Sequence, residues 1–550
     1  MTMKRLLSVA LSAALLAGVL TGCGGGNTTG SSASAGSGAS AETASGGDGT
    51  LRLAWAADIQ TMDVHKTTDN YMVPLNIFDR LFEIENDENG TPQLVNSLAA
   101  DYTVSEDGLT YDFTLQEGVT FSDGTPLTAN DVKYTFTRMI SLPESVQSSM
   151  GSMIAGAAEL QAGTAQELTG ITVTDDTHFT ITLTAPFAGF LYELATPACS
   201  IMSEANVTAA GDSFGLDPAQ TIGSGPYVVT SWTRDSGMVL DLNPNYWGET
   251  PDVTHVEISV VPDASTMSMM FQSGELDILD CDYIDSAVVD STYRTQYADQ
   301  IVTGNRLATT YLALNENIEP LGDVRVRKAI QMAIDRQTIL DSVYSGDGSL
   351  VDGIYPEGLI GYSADNQGWL TYDPEGAKAL LAEAGYADGF DVTMQVNTLA
   401  ASKFTEIAQA VAYYLGEVGI NVTLENLDTA TARSITIEGQ DQEKVSGLFT
   451  WSWASKPGLC DSWMTGIIMS DGMTSYNVIE GYDELCSEIL ALHDEEAKIP
   501  LYQELQQKLV DDPPFLYLFQ LNSIYAISSR LDWDVNSNCY ILAFDMAVKA

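Results

Sequence analysis

The chain has 550 residues, with 23 Lys and Arg against 75 Asp and Glu, a formal net charge of −52 at pH 7. A surface this negative repels nucleic acid and anionic lipid and excludes both as partners. It reads as solubility in an external milieu, because extreme net charge belongs to a whole surface more than to one site.

In chain order, Lys4 and Arg5 are followed by an almost wholly apolar stretch, Leu6 to Leu20, and then by Leu20-Thr21-Gly22-Cys23. That order reads as an export signal. The apolar run, about 15 residues, is shorter than the ~20 helical residues that a bilayer span needs. The tetrad resembles a bacterial lipobox, which implies cleavage before Cys23 and lipidation at its sulfur, so residues 1–22 read as a signal peptide. Gly, Ser, Ala and Thr dominate from Gly24 to Gly49. Such a segment buries too little to offset its ordering entropy, so 23–49 reads as a lipidated flexible tether. No later stretch is long and apolar enough to span a membrane, so a lipid anchor is the expected membrane attachment.

Alternation at Leu51, Leu53 and Trp55, at Tyr111, Phe113 and Leu115, and at Phe179, Ile181 and Leu183 predicts half-buried strands. Glu85 to Gly90 starts like a calcium loop, but its twelfth position is Asn96 where the loop needs a bidentate Glu, so a polar hairpin is expected. Thr128 with Asp131 predicts a capping-box helix start, and Val132, Phe136 and Met139 share a face. Asp373-Pro374-Glu375 opens another helix, with Ala377, Leu380, Leu381 and Ala384 on one stripe and Gly385 as its stop. Phe404, Ile407, Ala408, Val411 and Leu415 line a third. The pattern is mixed α/β, and these stripes read as core faces.

Catalytic signatures are absent. His65, His178, His255 and His493 form no His-Glu-x-x-His and no close pair, and there is no Cys-x-x-Cys, so no metal is expected. Nucleophile-elbow, P-loop and dinucleotide-binding motifs are also missing, and no cofactor or catalytic residue is assigned. Beyond Cys23 stand Cys199, Cys281, Cys460, Cys486 and Cys539, an odd number. Either a Cys460 to Cys486 bridge closes a surface loop or all five are thiols.

Six strings recur in an order that resembles one family. They are Ser105 to Tyr111 (Ser-Glu-Asp-Gly-Leu-Thr-Tyr), Gly118 to Val132 (with Phe-Ser-Asp-Gly-Thr-Pro-Leu-Thr at its centre), Gly223-Ser224-Gly225-Pro226-Tyr227, Asn243-Pro244-Asn245-Tyr246-Trp247, Asp323 to Arg336, and Ala377 to Tyr386. From about Leu51 to Ile527 the chain resembles the extracellular solute-binding proteins of family 5, the dipeptide- and oligopeptide-binding lipoproteins of ABC importers. Most of these strings mark turns and helix starts: Gly223 and Gly225 are read as permitting sharp backbone geometry before Pro226, so they certify fold more than ligand.

The resemblance implies a two-lobed periplasmic-binding-protein-like α/β fold of class II type with an extra subdomain inserted in the first lobe. The first-lobe core is expected at 50–83, 206–308 and 522–550, the insert at 84–205 and the second lobe at 309–521, with hinge crossings near Asn305 and Gln520. It implies a monomer, not an enzyme, that captures a peptide in the interlobe cleft and delivers it to permease subunits. Its place is outside the cytoplasm, with a Gram-positive surface favoured and a periplasm otherwise. Ligand contacts are expected around Trp55 and Tyr71, at Asn315, and in the loop Trp451, Trp453, Lys456, Asp461 and Trp463. Peptide-binding relatives usually carry an aspartate where Lys456 stands, to pair with the ligand's ammonium group. Asp461 is the substitute if the loop is reshaped; otherwise Lys456 holds a carboxylate or the ligand lacks a free amino terminus. A sugar, nickel complex or other solute is the alternative within the family. A secreted hydrolase or a surface adhesion protein is the alternative outside it.

Overall fold

The computed structural model describes residues 49–549 except 69, 88–91, 149, 188, 360, 365–366, 399–402, 436–444, 455–459, 473–474, 477–480, 493 and 537–538. The architecture is two-lobed, with a subdomain inserted in the first lobe. In the first lobe, strand Thr50–Trp55 lies parallel to His255–Val260, and Gly237–Leu242 and Tyr227–Thr233 continue the sheet antiparallel. The expected alternation holds: Leu51 and Leu53 are buried in a core that gathers Ile59 to Phe78, Met202 to Ile258 and Tyr525 to Met546.

The inserted subdomain has a separate core, drawn from Leu81 to Ile201. Its antiparallel sheet stacks Phe113 on Phe179 with ring centroids 5.1 Å apart. Helix Ala129–Ser141 covers it, opened by Thr128 N donating to Asp131 Oδ2 at 2.9 Å, and Val132, Phe136 and Met139 face inward as their spacing predicts. The Glu85 region is a hairpin, Phe82–Asn86 against Pro92–Asn96, although its turn lies among the residues not described.

A buried triad fastens this subdomain to the first lobe. Arg138 donates through Nη1 to Asp63 Oδ1 at 3.0 Å and through Nη2 to Asp63 Oδ2 at 2.6 Å. His65 Nδ1 lies 2.8 Å from Arg138 Nη1. A guanidinium only donates, so this imidazole nitrogen accepts and the ring is neutral. Burial, with Arg138 adding to it, pushes the His65 pKa down to about 3.

The chain bends at Ser224 to Pro226 as expected, and the motif glycines Gly223 and Gly225 have a further reason to be glycine. Neither is left-handed; a Cβ on Gly223 would lie 1.9 Å from Ile77 O, and Gly225 N donates to that same carbonyl at 3.0 Å. The requirement is close passage of two backbones, which any side chain blocks.

The second lobe is built on most of a seven-stranded sheet that reaches into the first lobe at one end, with Phe515–Ile527, Ile301–Leu314 and Gly447–Ala454 among its central strands. Both faces are covered. Tyr311, Ala313, Phe449, Phe515 and Tyr517 enter one core, and Leu312, Leu314, Leu448, Leu516 and Leu518 enter the other. Burial on two sides explains why Phe515-Leu516-Tyr517-Leu518-Phe519 is a continuous apolar run without alternation. Helix Phe404–Glu417 lays its predicted stripe on the second core, and Asp373 caps helix Pro374–Glu383 by accepting from Gly376 N. Leu380 lies only partly buried, and Ala384 is the C-cap. Among the described residues no helix is long and apolar enough to cross a membrane.

Candidate functional site

Two long strands run through both lobes. Ile301 to Asn305 pairs with Ala526 to Asn522, beside the first-lobe strand Ile278–Asp280; Thr309 to Ala313 pairs with Gln520 to Phe515, beside Gly447–Ala454. Between these halves the register breaks, so that Arg306 to Ala308 stand opposite Leu521 alone. Extra residues on one strand bend it and raise its twist. The break lies where the crossings at Asn305 and Gln520 are expected from the sequence. Side chains hold it: Gln520 Nε2 donates to Arg306 O at 3.0 Å and to Glu357 O at 2.9 Å, while Arg306 Nε donates to Ser523 Oγ at 2.8 Å and Nη2 pairs with Asp282.

A cleft of about 370 Å³ opens on one face of this junction. Thr310 and Ser452 line it from the central strands, Asp282 and Asp290 from the first lobe, and Tyr344 and Lys403 from the second. The lobes touch across it, with Ser345 Oγ donating to Asp290 Oδ2 at 2.8 Å and Arg294 pairing with Asp347, while Arg294 also pairs with Asp290 within the first lobe. Lys403 Nζ donates to Val343 O at 3.0 Å and lies 5.1 Å from the Tyr344 ring centroid. Burial, with the neighbouring Asp282, pushes Asp280 up to about 7. The Cys281 thiol is pushed up to about 12 by burial and Asp280, which leaves it protonated and a poor nucleophile. Among the described residues no group of three or more His, Cys, Asp or Glu is arranged to hold a metal.

On the strand Gly447–Ala454, Trp451 and Trp453 share the face opposite to Ser452, because side chains alternate along a strand. Their cross-strand partners are Tyr311 and Thr309. Trp453 is half-buried and lies on Gly466, where a Cβ would stand 2.2 Å from its ring atom Cζ2. Gly447 to Phe449 pair with Thr393 to Gln395, but among the described residues no strand pairs with Thr450 to Ala454 on that side. Ser452 and Ala454 are exposed there. Among the described residues the geometry is an unpaired strand edge at the lobe junction, with indoles beside it.

The other expected contacts are dispersed. Trp55 ends the first strand of its sheet, half-buried, with an enclosed indole nitrogen that has no hydrogen-bond partner among the described residues, and Trp453 Nε1 is in the same condition. Tyr71 donates to Thr67 O at 3.0 Å and accepts from Gln147 Nε2 at 2.8 Å in the first lobe. Asn315 is fully buried, its Nδ2 donating to Val445 O at 2.7 Å to clamp the end of one central strand to the approach of the next. Lys456 and Cys23 lie outside the described residues.

Two expectations for the Trp451 to Trp463 loop are corrected. Trp463 is not a cleft face: the short turn Asp461–Trp463 folds it fully into the second-lobe core, edge-on to Tyr355 at 6.1 Å. Asp461 is 4% exposed and committed inside the lobe, with Oδ2 taking Lys498 Nζ at 2.6 Å and Oδ1 bonded to the Tyr502 hydroxyl. Lys498 and Tyr502 share one face of helix Glu495–Asp511 at a spacing of one turn, but nothing local points to a partner so distant in sequence. Cys460 and Cys486 are both fully buried in the same second-lobe core and not on a surface loop.

The family described as bacterial extracellular solute-binding proteins, family 5 middle, matches residues 93–472. The probable D,D-dipeptide-binding periplasmic protein DdpA of Escherichia coli (strain K12) is 29% identical over 493 residues, covering 88% of this chain and 90% of its own length. The glutathione-binding protein GsiB of Salmonella typhi is 27% identical over 493 residues, 87% of this chain and 90% of its own. Among solved structures, the periplasmic murein tripeptide binding protein MppA in its unliganded open form superposes with a TM-score of 0.77 at 22% identity, covering 91% of this chain and 97% of that one. HbpA2 from Haemophilus parasuis gives 0.78 at 23% identity, covering 91% and 100%.

Proposed function

The chain belongs to the bacterial extracellular solute-binding proteins of family 5, and from that premise we propose that it captures a peptide between its lobes and passes it to the permease of an ABC importer. One observation carries the peptide reading: the strand edge from Trp451 to Ala454 at the lobe junction, which no strand pairs among the described residues and which Trp451 and Trp453 flank. An extended peptide adds to such an edge as a further strand, so its backbone is bound whatever its side chains are. The indoles offer rigid apolar faces for those side chains. Closure of the lobes excludes water, and both lobes then supply the hydrogen bonds that the peptide loses from solvent.

The working division is a first-lobe core of 50–83, 206–308 and 522–550, an insert of 84–205 and a second lobe of 309–521. Separate hydrophobic cores support it. In this reading the protein is a monomeric binding protein without catalytic activity, anchored outside the cytoplasm through lipid on Cys23, on a Gram-positive surface or otherwise in a periplasm.

The test is mass spectrometry of ligand released from purified protein, followed by calorimetry of the identified compound against the Trp453→Ala variant. A peptide whose affinity falls at least about tenfold in the variant supports the proposal. A co-purified non-peptide solute bound equally by both proteins refutes it. Lys456 favours a second reading within the same function, in which the ligand lacks a free amino terminus, since a buried ammonium beside this lysine is costly. Lys456→Asp then moves preference from amino-blocked toward free peptides; an unchanged preference removes Lys456 from the site.

A further inference from the structure

Arg80 is a buried cation with donors to spare. It is 4% exposed, and its one ion pair among the described residues is a 3.5 Å contact from Nη2 to Glu83 Oε1. Nε and Nη1 are enclosed and have no hydrogen-bond partner among the described residues. A guanidinium cannot shed its proton, so both nitrogens stay charged donors, and a buried donor left unmade is destabilising. The adjacent Asp79 carboxyl accepts from Trp247 Nε1 at 2.8 Å, and burial with Glu83 pushes it up to about 6.

Beside Arg80 lies a cavity of about 170 Å³ between the inserted subdomain and the first-lobe core, apart from the hinge cleft. Leu75, Ile84, Met150, Pro197 and Leu542 give it apolar walls. Its rim is already organised: Gln147 Nε2 spends its protons on Thr67 O and the Tyr71 hydroxyl, both at 2.8 Å, and Asn536 Nδ2 donates to Tyr540 O at 2.8 Å to hold the C-terminal segment in place. Arg80 is therefore the charged group of the lining with unmet donors.

We infer that this cavity is a second binding site, in the first lobe, for a small carboxylate with a branched apolar body, the carboxylate meeting Arg80 and the body filling the apolar walls. A charge-assisted bond from a carboxylate satisfies what Glu83 leaves unmet. The walls reject a hydrated or highly polar body, since burying polar groups without partners is unfavourable. Two sources carry this chemistry, a free aliphatic acid and the carboxyl-terminal residue of a peptide ending in Leu. The site does not depend on what the hinge cleft binds.

The test is calorimetric titration of the full chain with 4-methylpentanoate and with its neutral amide. The acid is expected to bind about tenfold or more tightly than the amide, the order of one charge-assisted hydrogen bond. Arg80→Met is expected to remove that preference, and Met150→Trp, which fills the cavity while keeping the guanidinium, to remove binding of both. If Arg80→Met does not fold, Met150→Trp together with the acid-to-amide ratio of the unaltered protein decides the matter. Displacement of the acid by Ala-Ala-Leu but not by its carboxyl-terminal amide identifies peptide ends as a source, and no displacement identifies free acids. Absence of acid binding, equal affinity for acid and amide, or undiminished acid binding in Met150→Trp overturns the inference.

Discussion

Replacing Lys498 by Met tests whether Asp461 is a structural or a ligand-binding carboxylate. The Lys498 side chain is fully buried, that of Asp461 is 5% exposed, and their charged atoms are 2.6 Å apart. Removing the cation leaves a buried carboxylate with the Tyr502 hydroxyl as its remaining side-chain partner among the described residues. Breaking one side of a buried pair in this way costs about 3–5 kcal/mol, a large share of the roughly 5–15 kcal/mol that holds a domain folded. Urea denaturation followed by tryptophan fluorescence is expected to show a midpoint lower by on the order of 1 M or more. Asp461→Asn is expected to destabilise as well, by leaving a buried ammonium. The double variant Lys498→Met with Asp461→Leu is expected to regain most of the loss, because replacing both partners by apolar groups of similar volume is often neutral. An unaltered midpoint in Lys498→Met, or a double variant as unstable as the sum of the singles, refutes the reasoning. So does an Asp461→Asn protein of full stability that loses affinity only for peptides with a free amino group, since that is the behaviour of a ligand partner.

Gly466→Val is expected to push the Trp453 indole from its seat, shifting tryptophan fluorescence and weakening ligand binding with little effect on secondary structure; unchanged fluorescence and affinity count against the contact. His65 is neutral in the fold with a pKa pushed down to about 3, while the unfolded chain takes up its proton near pH 6.5. Stability is therefore expected to fall as pH drops from about 6.5 toward 3, by up to about 1.4 kcal/mol per unit from this group, and His65→Gln is expected to flatten that slope. For Asp280 the sign is opposite. Its folded pKa is raised to about 7, so the folded protein holds a proton that the unfolded one has released, and stability is expected to decline from about pH 4 to 7 and to decline less in Asp280→Asn, as read by melting temperature across that range. Cys23→Ala is expected to release the protein from membranes and abolish fatty-acid labelling; persistent labelling ends the lipid-anchor reading.

Periodicity and punctuation determined much of the fold without tertiary information. The stripe Phe404, Ile407, Ala408, Val411 and Leu415 faces a core because a helix must bury its apolar side somewhere, and Asp373-Pro374 starts a helix because capping is local. Ordered motifs carried the family and, with it, the two-lobed architecture. What needed the tertiary structure were facts about partners distant in sequence. That Gly223 is barred from any side chain by the carbonyl of Ile77, that Trp463 turns inward while Trp453 stays at the junction, and that Asp461 is spent on Lys498 all depend on which surfaces meet. A residue's type states what it needs, such as a counter-ion, a donor or an apolar neighbour. Only the packed chain decides whether protein or ligand supplies it, because burial removes the water that would otherwise satisfy every such need alike.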